Sequence, residues 1–182
     1  GFDRPNLFLD VRRPADKFTE LLRFLRSRPD KSGIVYCATR SAVEQVCARL
    51  REAGFPAVQY HAGLPDAERR RAQEDFQYDR AAVMVATNAF GMGIDKSNVS
   101  YVVHYNMPKS LEAYYQEAGR AGRDGSPADC LLLYSPSDII TARFLIEHSG
   151  ENEELGADAR AALRRRDMGR LTSLVEYCRT GG

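Results

Sequence analysis

Six short apolar runs recur along this chain: LFLDV (7–11), GIVYC (33–37), AVQY (57–60), AVMVA (82–86), YVVHY (101–105) and CLLLY (130–134). Segments of helical period separate most of them. This alternation constrains the fold more than any other feature. Strand-length runs that are apolar at consecutive positions need cover on both faces, and an intervening helix returns the chain to start a parallel neighbour. Helices are expected over 15–28, 40–53, 65–78 and 110–120. In the first, Phe18, Leu21, Leu22 and Leu25 fall on one face. The second carries Val43, Val46, Cys47 and Leu50 and stops at Gly54, a C-cap glycine. The expected fold is α/β, a mainly parallel sheet flanked by helices.

The strands cease after about residue 135. Ser135-Pro136 opens a helix reaching His148, SGENEELG is a polar break, and 157–179 is helical again. This tail, with Arg164, Arg165 and Arg166 in a row, has too few apolar residues to form a core of its own. It is expected to be helical but loosely docked. The division is therefore 1–134 as an α/β lobe and 135–182 as a short all-helical extension.

A length of 182 residues fits one domain with an appendage, and 43% hydrophobic with 28% charged residues describes an ordinary globular chain. The net charge of +1 does not exclude a nucleic-acid partner, because a local patch carries that electrostatics. No run of 18 apolar residues predicts a membrane span, and GFDRPNLFLD lacks the basic and apolar regions of a signal peptide. Cys37, Cys47, Cys130 and Cys178 form no CxxC pair, so neither a disulfide framework nor a complete metal site is expected.

Unusual residues follow the carboxyl ends of the strands, where ligands collect in open parallel sheets. Thr39 and Arg40 follow the second run, His61 the third, and Thr87 and Asn88 the fourth, ahead of FGMG. These groups can donate to phosphate oxygens. Thr39 can equally cap the following helix, His61 can be a structural histidine, and FGMG can be a tight turn. Further on, YYQEAGRAGRDG (114–125) spaces Gly119, Gly122 and Gly125 three apart and sets Arg120 and Arg123 after glycines. Three glycines in seven residues mark a helix end or a backbone that must come close to something. Each arginine carries a charged planar fork suited to phosphate.

The chain lacks GxxxxGK[ST], the loop that cradles a nucleotide, and no DExH or DEAD string follows a strand. It is equipped to act at a nucleotide without holding one. In this setting the motifs resemble the second RecA-like lobe of superfamily-two helicases, in the RecQ family of DNA helicases. FDRPNL (2–7) resembles the family's opening of the lobe, SGIVYCATR (32–40) motif IV, YHAGL (60–64) the motif after it, and VATNAFGMGIDKSNV (85–99) motif V. YYQEAGRAGRDG is similar to motif VI in its RecQ form. Gln116-Glu117 stands where DEAD-box RNA helicases have His-Arg, which favours the DNA enzyme.

The resemblance implies a RecA-like lobe that closes on a first lobe of the same protein across an ATP site. That first lobe would hold most of the ATP and Mg2+. It implies Arg123 as arginine finger with Arg120 beside it, and Gln116, Gly93 and Asp95 around the nucleotide. Gly119 and Gly122 would permit close approach to the facing lobe. Thr39, Arg40, His61, Thr87 and Asn88 would line a single-stranded DNA track. It further implies 3′–5′ movement on single-stranded and forked DNA, in the cytoplasm at the nucleoid or in the nucleus, with no membrane partner. Zn2+ is expected only in the full-length protein, where Cys178 matches the first of four cysteines; no metal site is expected in these residues alone. Two other readings stay open: the lobe of an RNA helicase, and a non-catalytic binding module.

Overall fold

A computed structural model describes residues 4–87, 96–148 and 157–179. Its elements run β1 (Leu7–Arg12), α1 (Lys17–Arg26), β2 (Gly33–Tyr36), α2 (Arg40–Glu52), β3 (Ala57–Tyr60), α3 (Asp66–Gln77), β4 (Val83–Ala86), β5 (Tyr101–His104), α4 (Leu111–Ala118), β6 (Ala128–Leu133), α5 (Pro136–His148) and α6 (Ala157–Arg179). The six strands form one sheet in the order β1-β6-β5-β2-β4-β3, and every pairing is parallel. All six expected strands and all six helical segments are present, with ends shifted by a few residues.

The continuous apolar runs are explained by cover on both faces. Val35, Val83, Val85, Val103, Leu131 and Leu133 pack under α1 and α2, against Phe18, Leu21, Leu25, Val43 and Leu50. Ile34, Met84, Val102, Cys130 and Leu132 face the other way, against Phe76 of α3 and Tyr114 and Ala118 of α4. β2, β4 and β5 are buried at every position. Each fully buried aliphatic side chain contributes about 1.5–3 kcal/mol.

Helix α2 ends as its sequence predicts. Gly54 has φ +92°, and Gly54 N–H and Phe55 N–H donate to the carbonyls of Arg51 and Leu50. This is a Schellman closure with glycine in the left-handed position.

The tail departs from expectation. Leu171, Leu174, Val175 and Cys178 of α6 are buried in the same core cluster as Tyr114 and Ala118. Only one face of α6 needed to be apolar for this, so the low apolar content of the segment did not prevent docking. None of the described helices is long and apolar enough to cross a membrane.

Candidate functional site

The sheet places the singled-out residues at two opposite edges. Thr39, Arg40, His61 and Thr87 follow the carboxyl ends of the neighbouring strands β2, β3 and β4. Thr39 is the N-cap of α2, its Oγ1 accepting from Ala42 N–H at 3.1 Å. Arg40, the first residue of that helix, is exposed. His61 is 4% exposed. Its Nδ1 accepts from Gly63 N–H at 3.1 Å, so Nε2 carries the proton and donates to Glu44 Oε1 at 2.9 Å. Both ring nitrogens are therefore engaged, and the ring shapes the 61–64 turn. A Cβ on Gly63 would lie 3.1 Å from both Arg40 Nη1 and the His61 ring, so glycine lets these side chains approach the turn. Thr87 is buried, its N–H donating to Tyr60 O at 3.2 Å. Asn88, Gly93 and Asp95 lie outside the described residues.

A polar hub supports this edge. The Asp138 carboxylate accepts from Lys17 Nζ (2.5 Å), Asn106 Nδ2 (3.2 Å), Ser135 N–H (2.9 Å) and Ser135 Oγ (3.0 Å). Asn106 Oδ1 in turn accepts from Ala38 N–H at 2.9 Å, one residue before Thr39. Burial pulls Lys17 below its ordinary range, while Asp138 opposes the shift. Sequence reasoning missed Lys17, Asn106 and Asp138. Ser135-Pro136-Ser137-Asp138 carried a signal, a capping-box spacing at the start of α5.

The second place is the end of α4. Ser110 caps that helix by accepting from Ala113 N–H at 3.0 Å, and Gly119 closes it. The following loop is pinned to the segment entering β5. Gly122 N–H donates to Val99 O at 2.8 Å and Asp124 N–H to Ser97 O at 3.1 Å. The loop backbone therefore lies at the amino edge of the sheet, opposite Thr39, while the Arg120 side chain reaches back to Tyr36 at the carboxyl end of β2. Gly122 has φ +59°, and a Cβ there would stand 2.6 Å from Asn6 Nδ2 and 2.9 Å from Ser126 O. The close approach that this glycine permits is thus to its own chain. Gly119 has an ordinary right-handed φ of -64°.

Arg123 and Gln116 are exposed, and Arg120 is half-buried. Burial raises the Tyr36 phenol above its ordinary range, and the Arg120 guanidinium hydrogen-bonded to it pulls it back. Arg120 Nε is buried with no hydrogen-bond partner among the described residues. A buried donor of this kind favours an incoming acceptor. Tyr36 stacks on His104 at 5.3 Å between centroids, and His104 meets Tyr114 edge-on at 5.0 Å. The base of α4 is thereby locked to β2 and β5.

A family model described as helicase conserved C-terminal domain matches residues 16–125. The chain belongs to this helicase C-terminal domain family. ATP-dependent DNA helicase RecQ of Bacillus subtilis is 44% identical over 180 residues, which are 99% of this chain and 29% of that protein. ATP-dependent DNA helicase hus2/rqh1 of Schizosaccharomyces pombe is 46% identical over 180 residues, 98% of this chain and 13% of that protein. The RecQ likeness read from the motifs therefore holds across nearly the whole helicase lobe, tail included. The chain spans less than a third of the length of these relatives. Among solved structures, a DEAD box protein from Methanococcus jannaschii superimposes with a TM-score of 0.63 at 24% identity, over 76% of this chain and 38% of that one. The C-terminal domain of the DEAD-box protein Dbp5 gives 0.61 at 24% identity, over 87% of this chain and 96% of that one. Both bear out the RecA-like fold of the helicase lobe.

Zinc fits the residues of this lobe poorly. Cys178 is buried in α6, and that burial pushes its thiol up to about 11, whereas a zinc ligand is a thiolate. Among the described residues no group of three or more His, Cys, Asp or Glu side chains is placed to hold a metal.

Proposed function

We propose that this chain is the second lobe of a RecQ-type ATP-dependent 3′–5′ DNA helicase, catalytically incomplete by itself. The observation that carries the reading is the division of one sheet into two edges. One bears the arginine loop at 119–126, and the other bears Thr39, Arg40 and the 61–64 turn. The relatives named above, described as DNA helicases, favour DNA over RNA as the strand.

ATP and Mg2+ would be held mainly by a first lobe that supplies the phosphate-cradling loop. Arg123 would reach across as the finger, neutralising charge on the transferring phosphoryl group, with Arg120 braced beside it. Gln116 would sit at the lobe interface, with Gly93 and Asp95 toward the nucleotide. A finger of this kind is typically worth about 10³–10⁵ in rate. At the other edge, backbone N–H groups at the start of α2 and the exposed Arg40, with Thr87 and Asn88, would grip the phosphates of a single strand without reading its bases. His61 would support that grip by shaping its turn. ATP binding would close the lobes and hydrolysis release them, moving the grip along the strand. Residues 135–182 would begin the helical subdomain that follows the lobe, and zinc in the full-length protein would be held by ligands outside these residues. Forked DNA and location at the nucleoid or in the nucleus follow from the same reading.

The test is DNA-stimulated ATP hydrolysis by three samples: this lobe alone, a two-lobe protein containing it, and that protein with Arg123→Ala. An inert lobe, an active two-lobe protein and a variant slowed about a thousandfold with ATP binding retained would support the reading. Normal hydrolysis by the variant would remove the finger assignment.

A further inference from the structure

The loop that carries Arg120 and Arg123 is held from outside by two side chains that lie just before β1. Arg4 Nη1 donates to Gly119 O at 3.1 Å, and Arg4 Nη2 donates to Ala121 O at 3.0 Å and Gly122 O at 2.9 Å. Asn6 Nδ2 donates to Gly122 O at 2.8 Å and Ser126 O at 3.0 Å. The clamp residues are fixed in their own right. Leu7 N–H donates to Arg4 O at 3.1 Å, and Ala128 N–H donates to Asn6 O at 3.0 Å as β1 meets β6.

The chemistry suits the place. Carbonyls at a helix C-terminus have no partner within the helix and collect the negative end of its dipole. A guanidinium answers both needs, and its planar fork spans several acceptors where an ammonium makes a point contact. The bonded carbonyls belong to Gly119 and Ala121, on either side of Arg120, and to Gly122, immediately before Arg123. The clamp thus grips the backbone from which both arginines depart.

We propose that Arg4 and Asn6 are positioning residues for the arginine pair, setting the 119–122 backbone so that Arg123 is aimed before the lobes close. The proposal rests on the reading of Arg120 and Arg123 given above. Neither Arg4 nor Asn6 need touch nucleotide or DNA. Their effect is carried by peptide carbonyls, and a misplacement of about 1 Å at a reacting centre can cost on the order of 10²-fold.

The experiment uses the two-lobe protein and measures kcat, KM for ATP and single-strand affinity for Arg4→Ala, Arg4→Lys, Asn6→Ala, Arg120→Ala, Arg123→Ala and the Arg4→Ala/Arg123→Ala double variant. Arg4→Ala is expected to lower kcat by about a hundredfold with KM for ATP and DNA affinity within about twofold of the parent. Arg4→Lys is expected to recover part of that loss. The double variant is expected to lose clearly less than the product of the two single losses, because with the finger gone the clamp has only Arg120 left to place. If Arg4→Ala fails to fold, judged by its melting transition, Asn6→Ala carries the same test with fewer bonds lost. Unchanged kcat in Arg4→Ala or a folded Asn6→Ala, beside a crippled Arg123→Ala, would overturn the positioning role and leave the finger intact. Losses that multiply in the double variant would also overturn it. If Arg120→Ala and Arg123→Ala both hydrolyse ATP normally, the finger reading falls first and takes the clamp's purpose with it.

Discussion

His104 Nε2 lies 3.2 Å from Glu117 Oε1, with the His104 side chain 2% exposed and the Glu117 side chain 15% exposed. The pair joins the last residue of β5 to the turn of α4 that precedes the arginine loop. Removing the acceptor strands a ring N–H in a place that water scarcely reaches. Glu117→Ala is therefore expected to destabilise the isolated lobe by about 1–3 kcal/mol. Urea unfolding measures it. A change smaller than about 0.5 kcal/mol would mean that His104 finds another acceptor.

Tyr36 offers a finer probe of Arg120. Tyr36→Phe preserves the ring stacked on His104 and deletes only the hydroxyl that Arg120 engages. Hydrogen bonds to charged groups are worth about 1.5–3 kcal/mol, so a fall in kcat of at least about tenfold is expected in the two-lobe protein. The same lost bond is expected to lower the melting temperature by several degrees, so kcat is compared well below the transition. An unaltered kcat would show that Arg120 needs no brace from β2.

At the opposite edge the electrostatic contribution can be isolated with salt. Arg40→Ala is expected to weaken single-strand binding for all sequences alike. It should also reduce the slope of log K against log salt by about one. Fluorescence anisotropy at several salt concentrations gives both quantities. A weakened affinity with an unchanged slope would place Arg40 away from the phosphates.

Alkaline pH should loosen the lobe through its thiols. Burial pushes Cys37 and Cys130 up to about 12 from an ordinary value of 9.0. Between those values the unfolded chain gives up protons that the folded chain keeps, so the stability these groups contribute is complete below pH 9 and is lost as pH rises toward 12. Each group adds a slope of up to about 1.4 kcal/mol per pH unit. Lys17, held below its ordinary range, opposes the trend until its unfolded value of 10.5 is passed. Urea midpoints at pH 8 and pH 10.5 are expected to differ clearly, and Cys37→Ala should make the decline shallower. Equal midpoints would mean that these thiols ionise without unfolding.

How much of this was legible beforehand depended on the range of the interaction. Local signals were read correctly. The stop at Gly54 and the Thr39 cap rest on residues only a few positions apart, and the parallel sheet follows from strand runs apolar at every position. The motifs identified the arginine loop, but not what holds it. Arg4 and Asn6 bind carbonyls more than a hundred residues away, and no local pattern reports such a contact. The same applies to Lys17 and Asp138. The partners of His61, Glu44 and the Gly63 amide, become visible only once the turn is formed. The tail was expected to dock only loosely because its partners lie elsewhere, whereas one apolar face of α6 is enough to join the lobe's core.

The pairing of β1 with β6 has a consequence for the order of assembly. Leu7 is registered with Ala128 and Arg12 with Leu133, so the first strand finds its partner only in the last. During synthesis at about 5–20 residues per second, β1 waits several seconds, unpaired, with Phe8 and Leu9 on its length. The sheet can grow from β2, β4 and β5 in that interval, but the edge must close over a long loop, a slow step for chains rich in distant contacts. Arg4 and Asn6 arrive with β1, so the arginine loop receives its final anchorage last of all. A nascent lobe would thus fold most of its core before its arginines acquire a fixed direction.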